Sequence, residues 1–132
     1  MCRILVVDDQ KDVRAMVCMV LRVNRFEVTE ADSVKAALKV FSEGNFDAAV
    51  VDIFLQDGCG FDVIAAMNER VAGFPIVAVS GMTSLEQVSR AAEFPKVVCL
   101  QKPFRPAELI GAIEAARGTE QADRRAPARL SA

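Results

Sequence analysis

Apolar residues in this chain gather in short runs separated by longer stretches of helical periodicity. Strands are predicted at about 3–7, 47–51, 75–79 and 96–100, each short and rich in Val, Ile, Leu or Ala, as buried parallel strands are. A further strand at about 26–30, Phe26-Glu27-Val28-Thr29-Glu30, alternates apolar and polar residues, as a half-exposed edge strand does. Helices are predicted at about 11–23, 33–43, 60–71, 83–93 and 105–117. Val13, Met16, Val17, Val20 and Leu21 share one helical face, and Val34, Ala37, Leu38 and Phe41 share another. Asp9 or Asp12 can cap the first helix, and Asp32 or Ser33 the second. Thr83 or Ser84 can cap the fourth, with Glu86 or Gln87 three residues on. Pro106 suits the first turn of the last helix, while Gly44 and Gly73 stand where helices should stop.

Strict alternation of strand and helix predicts an α/β fold with a parallel sheet covered on both faces by right-handed crossovers. Ligands in such sheets bind outside the carboxyl ends of the strands. Asp8 and Asp9 follow Ile4-Leu5-Val6-Val7, Asp52 follows Ala48-Ala49-Val50-Val51, and Lys102 follows the last apolar run. Three carboxylates and one lysine therefore converge on one edge. Carboxylates a few Å apart repel strongly, so the edge should draw in a cation, and a hard divalent ion such as Mg²⁺ suits it.

Composition narrows the chemistry. The 132 residues suit one domain, with 52% apolar residues to form its core. A net charge of −2 gives no electrostatic reason to expect nucleic acid as a partner. There is no histidine, which excludes Ser-His and Cys-His nucleophile pairs. Cys2, Cys18, Cys59 and Cys99 are scattered, form no zinc motif, and read as small apolar residues of a reduced cytoplasm. No apolar stretch is of membrane-spanning length, and the first strand begins too soon after Met1 for a signal peptide. Residues 1–118 are expected to form the domain. Residues 119–132, where Leu130 is the sole large apolar side chain, are expected to be a disordered tail. Arg117, Arg124, Arg125 and Arg129 read there as solvated charges rather than a nucleic-acid arm.

Asp8-Asp9, Asp52, Ser80 and Lys102-Pro103-Phe104, in this order at successive strand ends, resemble the receiver domain of two-component response regulators. The resemblance covers about residues 3–117. It implies a flavodoxin-like, CheY-like (βα)5 three-layer sandwich with a five-stranded parallel sheet of order 2-1-3-4-5. It implies Asp52 as the phosphoryl acceptor, taking phosphate from a sensor histidine kinase or a histidine phosphotransfer protein. It also implies Mg²⁺ held by Asp9 directly, Asp8 partly through water, Asp52 and the Phe54 backbone carbonyl. Lys102, followed by a cis peptide bond, is implied to reach the phosphoryl group as a point charge. Ser80 is implied to hydrogen-bond it only once it is present, the differential contact a switch requires. Gly81 would leave room for the donor. Phe54 and Met82 stand at positions that tune phosphate lifetime in the family, and their bulk is expected to lengthen it.

The chain also departs from the family pattern. Cys99 replaces the aromatic residue or threonine that often swings inward, and is expected to be a buried small residue. Gln56 replaces a common proline in the loop leading to Gly60, the family glycine at the start of the third helix. Glu93-Phe94-Pro95-Lys96 replaces a common Gly-Ala-Asp-Asp, so the dimer of DNA-binding regulators is not expected. The function implied is a cytoplasmic phosphorylatable receiver. Its output would pass to a protein partner through the fourth helix, fifth strand and fifth helix. It would catalyse its own Mg²⁺-dependent phosphorylation and dephosphorylation without being a conventional enzyme. A phosphate-independent interaction module is the alternative, and the full acidic, hydroxyl and lysine set argues against it. An aspartate-nucleophile phosphohydrolase would need a second carboxylate where Phe54 stands.

Overall fold

The computed structural model describes residues 2–81 and 84–118. The elements run β1 (Arg3–Val7), α1 (Lys11–Val23), β2 (Glu27–Ala31), α2 (Val34–Glu43), β3 (Ala48–Asp52), β4 (Phe54–Leu55), β5 (Gly58–Cys59), α3 (Gly60–Arg70), β6 (Ile76–Ser80), α4 (Leu85–Ala91), β7 (Val97–Gln101) and α5 (Pro106–Arg117). Five of the strands form one parallel sheet in the order β2-β1-β3-β6-β7, which is the expected 2-1-3-4-5 when only its members are counted.

Alternate residues of the central strands supply two cores. Leu5, Val7, Ala49, Val51, Ile76 and Ala78 face Phe41 of α2, Ile64 and Met67 of α3, and Ala91 of α4. Ile4, Val6, Ala48, Val50, Val77 and Val79 face Val17, Cys18 and Leu21 of α1 and Leu109, Ile113 and Ala116 of α5. This two-sided burial is why the central strands read as unbroken apolar runs. It also fixes which way each strand end points.

Several expectations need correction. Four sheet strands begin and end one residue later than their apolar runs suggest. The ladder is backbone-made, so Asp52, opposite Val79, and Ser80, opposite Gln101, are still strand residues. Neither Asp9 nor Asp12 caps α1. Gln10 stands at the cap position and its N–H is taken by the Asp8 carboxylate at 2.8 Å. Ser33 caps α2 by accepting from Ala36, and Ser84 caps α4 by accepting from Gln87. Met82 and Thr83, like residues 119–132, lie outside the described residues. α4 is shorter than expected, ending before the turn at Glu93-Phe94. Met16 and Leu38 lie on the margins of their apolar faces and stay 39% and 37% exposed, while Cys18 fills the α1 core instead. The stretch after Asp52 is a two-residue antiparallel hairpin, β4–β5, too short to leave a periodic signal.

Gly60 joins this hairpin to α3 directly against the end of β3. Its N–H donates to the Ile53 carbonyl at 2.7 Å. A Cβ there would collide with the Asp52 carbonyl oxygen and approach Ile53 Cα to 2.7 Å. Both obstacles are backbone and cannot rotate away. Gly60→Ala is therefore expected to lower stability by about 3 kcal/mol, the upper end for overpacking. Urea denaturation measures this, and an unchanged midpoint would contradict it.

Candidate functional site

The parallel register brings the strand ends together. Val7 at the end of β1 lies opposite Val51, so Asp8 emerges beside Asp52. Both carboxylate residues are only 4% exposed. One oxygen from each of Asp8, Asp9 and Asp52 lies within 4.8 Å of the others. Lys102, just beyond β7, places Nζ 3.1 Å from Asp52 Oδ2 and 3.5 Å from Asp8 Oδ2. Main-chain donors hold the remaining oxygens: Gln10 N–H donates to Asp8 Oδ1 at 2.8 Å and Phe54 N–H to Asp52 Oδ1 at 3.0 Å.

One ammonium does not neutralise three carboxylates. The Asp8 carboxyl is also held above its ordinary pKa. Burial is the first cause and the charge of Asp52 adds to it, while the Gln10 N–H and Lys102 oppose both. The donor set is all oxygen and anionic, which fits a hard divalent cation such as Mg²⁺ and would not suit a thiophilic metal. A cleft of about 230 Å³ opens over the cluster, lined by Asp9, Gln10, Asp52, Phe54, Gly81 and Lys102.

The sequence-predicted residues are thus largely brought together. Ser80 is buried at the end of β6, and its carbonyl accepts the Lys102 N–H at 2.8 Å. The Lys102–Pro103 peptide is cis. Gly81 is exposed, and a Cβ there would meet nothing within 4 Å. The Phe54 ring is 58% exposed beside the cleft. Cys99 is a correction: it is exposed, not buried. It lies opposite Ala78 on the outermost strand, where the short α4 leaves that face open.

Three residues of this region escaped the sequence reading. Arg14 donates from Nη1 to the Asp8 carbonyl at 2.8 Å and from Nε to Glu30 Oε1 at 2.9 Å. Asp57, in the hairpin turn, accepts the N–H groups of Val34 and Lys35 at the start of α2. The Val34 N–H above all holds the Asp57 carboxyl below its ordinary pKa. None of these links has a sequence signature, because each joins residues of different elements. An Asp-Gly turn signal at Asp57-Gly58 was the one local hint.

The profile of the response regulator receiver domain matches residues 4–114, and the chain belongs to that family. It is a receiver domain of two-component systems. The phosphate regulon transcriptional regulatory protein PhoB of Escherichia coli is 32% identical over 115 residues, covering 86% of this chain and 50% of PhoB. The chain thus spans about half the length of the first curated relatives it matches. Among solved structures, the chemotaxis protein CheY4 of Vibrio cholerae superposes with a TM-score of 0.83 at 26% identity, over 88% of this chain and 98% of that one. A response regulator receiver protein from Sinorhizobium medicae gives 0.81 at 30% identity, over 88% and 94%. Among the described residues no helix is long and apolar enough to cross a membrane.

The raised pKa of Asp8 has a signed consequence for stability. The folded state favours the protonated carboxyl, so this contribution is full below the ordinary carboxylate pKa and is lost as pH rises through the raised value. Asp8→Asn, which keeps an acceptor for Gln10, is expected to raise the melting temperature of the metal-free protein at pH 7. The gain should shrink on acidification toward the ordinary carboxylate range. Thermal unfolding of both proteins across that range checks this, and a pH-independent difference would contradict it.

Proposed function

We propose that this chain accepts a phosphoryl group on Asp52 from a phosphohistidine of a sensor histidine kinase or histidine phosphotransfer protein, and so switches its contacts with a downstream protein. The observation that carries this reading is the Asp52 carboxylate, buried at a strand end with Phe54 N–H on one oxygen and Lys102 on the other, beside an acidic pair. An Asp52 oxygen attacks phosphorus, the phosphorus–nitrogen bond of the donor breaks, and the imidazole leaves with a proton. The product is an acyl phosphate. A Mg²⁺ ion bound by Asp8, Asp9, Asp52 and the Phe54 carbonyl would neutralise charge on the phosphoryl oxygens.

The chain's own groups do the rest. Lys102 leaves its ion pair with Asp52 and follows the negative charge onto the phosphoryl group. The Ser80 hydroxyl donates to a phosphoryl oxygen, a contact that exists only in the phosphorylated state. Because Ser80 ends β6 and Lys102 directly follows β7, their movement shifts the adjoining edge of the sheet. Exposed Leu85 and Val88 give α4 an apolar surface beside that edge, suited to a protein partner. Phe54, at the cleft mouth, screens the acyl phosphate from water. The chemistry is a single self-modification and its reversal, in the cytoplasm, so the protein is not a conventional enzyme.

Intact-mass spectrometry after incubation with acetyl phosphate tests the reading. A base-labile phosphoryl adduct is expected with Mg²⁺, and neither without it nor in Asp52→Asn. Its decay should be faster in Phe54→Asn. No adduct on the folded protein, from acetyl phosphate or from phosphorylated kinases, would leave the phosphate-independent module as the better account.

A further inference from the structure

We propose that Arg14, aimed by Glu30, is a positioning residue for the acidic pair: it fixes the peptide unit joining Asp8 to Asp9, and with it the two carboxylates. This rests on the reading that those carboxylates hold a divalent cation. The Arg14 side chain is only 17% exposed and spans two acceptors, the Asp8 carbonyl at 2.8 Å and Glu30 Oε1 at 2.9 Å. The Asp8 carbonyl and the Asp9 N–H belong to one planar group. Holding that oxygen therefore sets the backbone torsions on either side, ψ of Asp8 and φ of Asp9, which aim the two side chains.

The rest of Asp8 is already anchored. Its N–H donates to the Ala31 carbonyl at 3.1 Å and its Oδ1 accepts from Gln10. Arg14 supplies the missing constraint, at the carbonyl, where the chain has left β1 and has no ladder partner. Its own N–H also donates to the Gln10 carbonyl at 2.9 Å, closing the first turn of α1 directly after Asp9. Glu30 stands opposite Val6 in the register of β1 and β2, so the edge strand delivers the carboxylate that orients the guanidinium. Arg22 also approaches Glu30, at 3.8 Å, but is largely exposed and makes no bond to the Asp8–Asp9 turn.

The sign of the effect separates positioning from simple charge. A guanidinium near the cluster repels a divalent cation, so if charge were its whole role, removing it would tighten metal binding. If it orients the ligands, removing it weakens binding, as loss of a supporting partner does at metal sites, by about tenfold or more. Lysine substitutes only in part, because one ammonium lacks the planar fork that spans both acceptors.

The test is Mg²⁺ titration calorimetry on the full chain at a temperature where circular dichroism shows each variant folded. Arg14→Met is expected to weaken binding by about tenfold or more, Arg14→Lys to recover only part of that, and Arg22→Met to stay within about twofold of wild type. An Arg14→Met affinity equal to or tighter than wild type would overturn the positioning role. Should Arg14→Met fail to fold, Arg14→Lys decides, because it keeps the charge and loses the fork: a loss beyond about twofold supports the proposal and an unchanged affinity overturns it. A wild type that binds no Mg²⁺ would instead overturn the reading of the site on which the proposal rests.

Discussion

Three carboxylates held within 4.8 Å, with one ammonium among them, are the constraint on which the rest of this protein turns. A like-charged pair at 4 Å costs on the order of 4 kcal/mol at the effective dielectric of a protein surface. Side chains free to move would separate. Here they cannot, because the strand register fixes Asp52 and delivers Asp8 beside it, and two cores grip the strands from both sides. The fold thus keeps a concentration of negative charge that a divalent cation would relieve. Phosphorylation of Asp52 would redistribute the same charge.

The surroundings of that cluster connect it to the rest of the molecule in two directions. Toward β7, the Lys102 N–H is bonded to the Ser80 carbonyl, and β6 and β7 run in register up to that point. A displacement of either residue would be passed along the outer edge of the sheet, where Cys99 and most of α4 are exposed. Toward the other side, Phe54 N–H ties Asp52 to the β4–β5 hairpin, and Asp57 ties the hairpin to α2. The Asp52 carboxylate is therefore held by a backbone donor on one oxygen and by the Lys102 ammonium on the other.

Much of this was legible in the sequence, for physical reasons. Two-sided burial writes itself as apolar runs and strand-helix alternation as a parallel sheet, so the convergence of Asp8, Asp9, Asp52 and Lys102 could be read directly, while the strand order came with the resemblance to the receiver family. The ends of elements were less legible. Backbone pairing continues through Asp52 and Ser80 whatever their side chains, and Asp8 takes the Gln10 N–H that a cap at Asp9 or Asp12 would have left free. Cys99 misled because an apolar run on an outer strand looks like one in the centre until the length of the covering helix is known. Arg14, Glu30 and Asp57 were invisible because their partners come from other elements.

The most direct test of the central claim is thermal unfolding of the wild type in rising MgCl₂ against NaCl of matched ionic strength. If the clustered carboxylates await a divalent cation, the melting temperature rises with Mg²⁺ by the mass-action relation for a ligand bound only by the folded state, beyond any effect of NaCl. Coincident curves in the two salts would contradict it, because the cluster would then be relieved by Lys102 and screening alone.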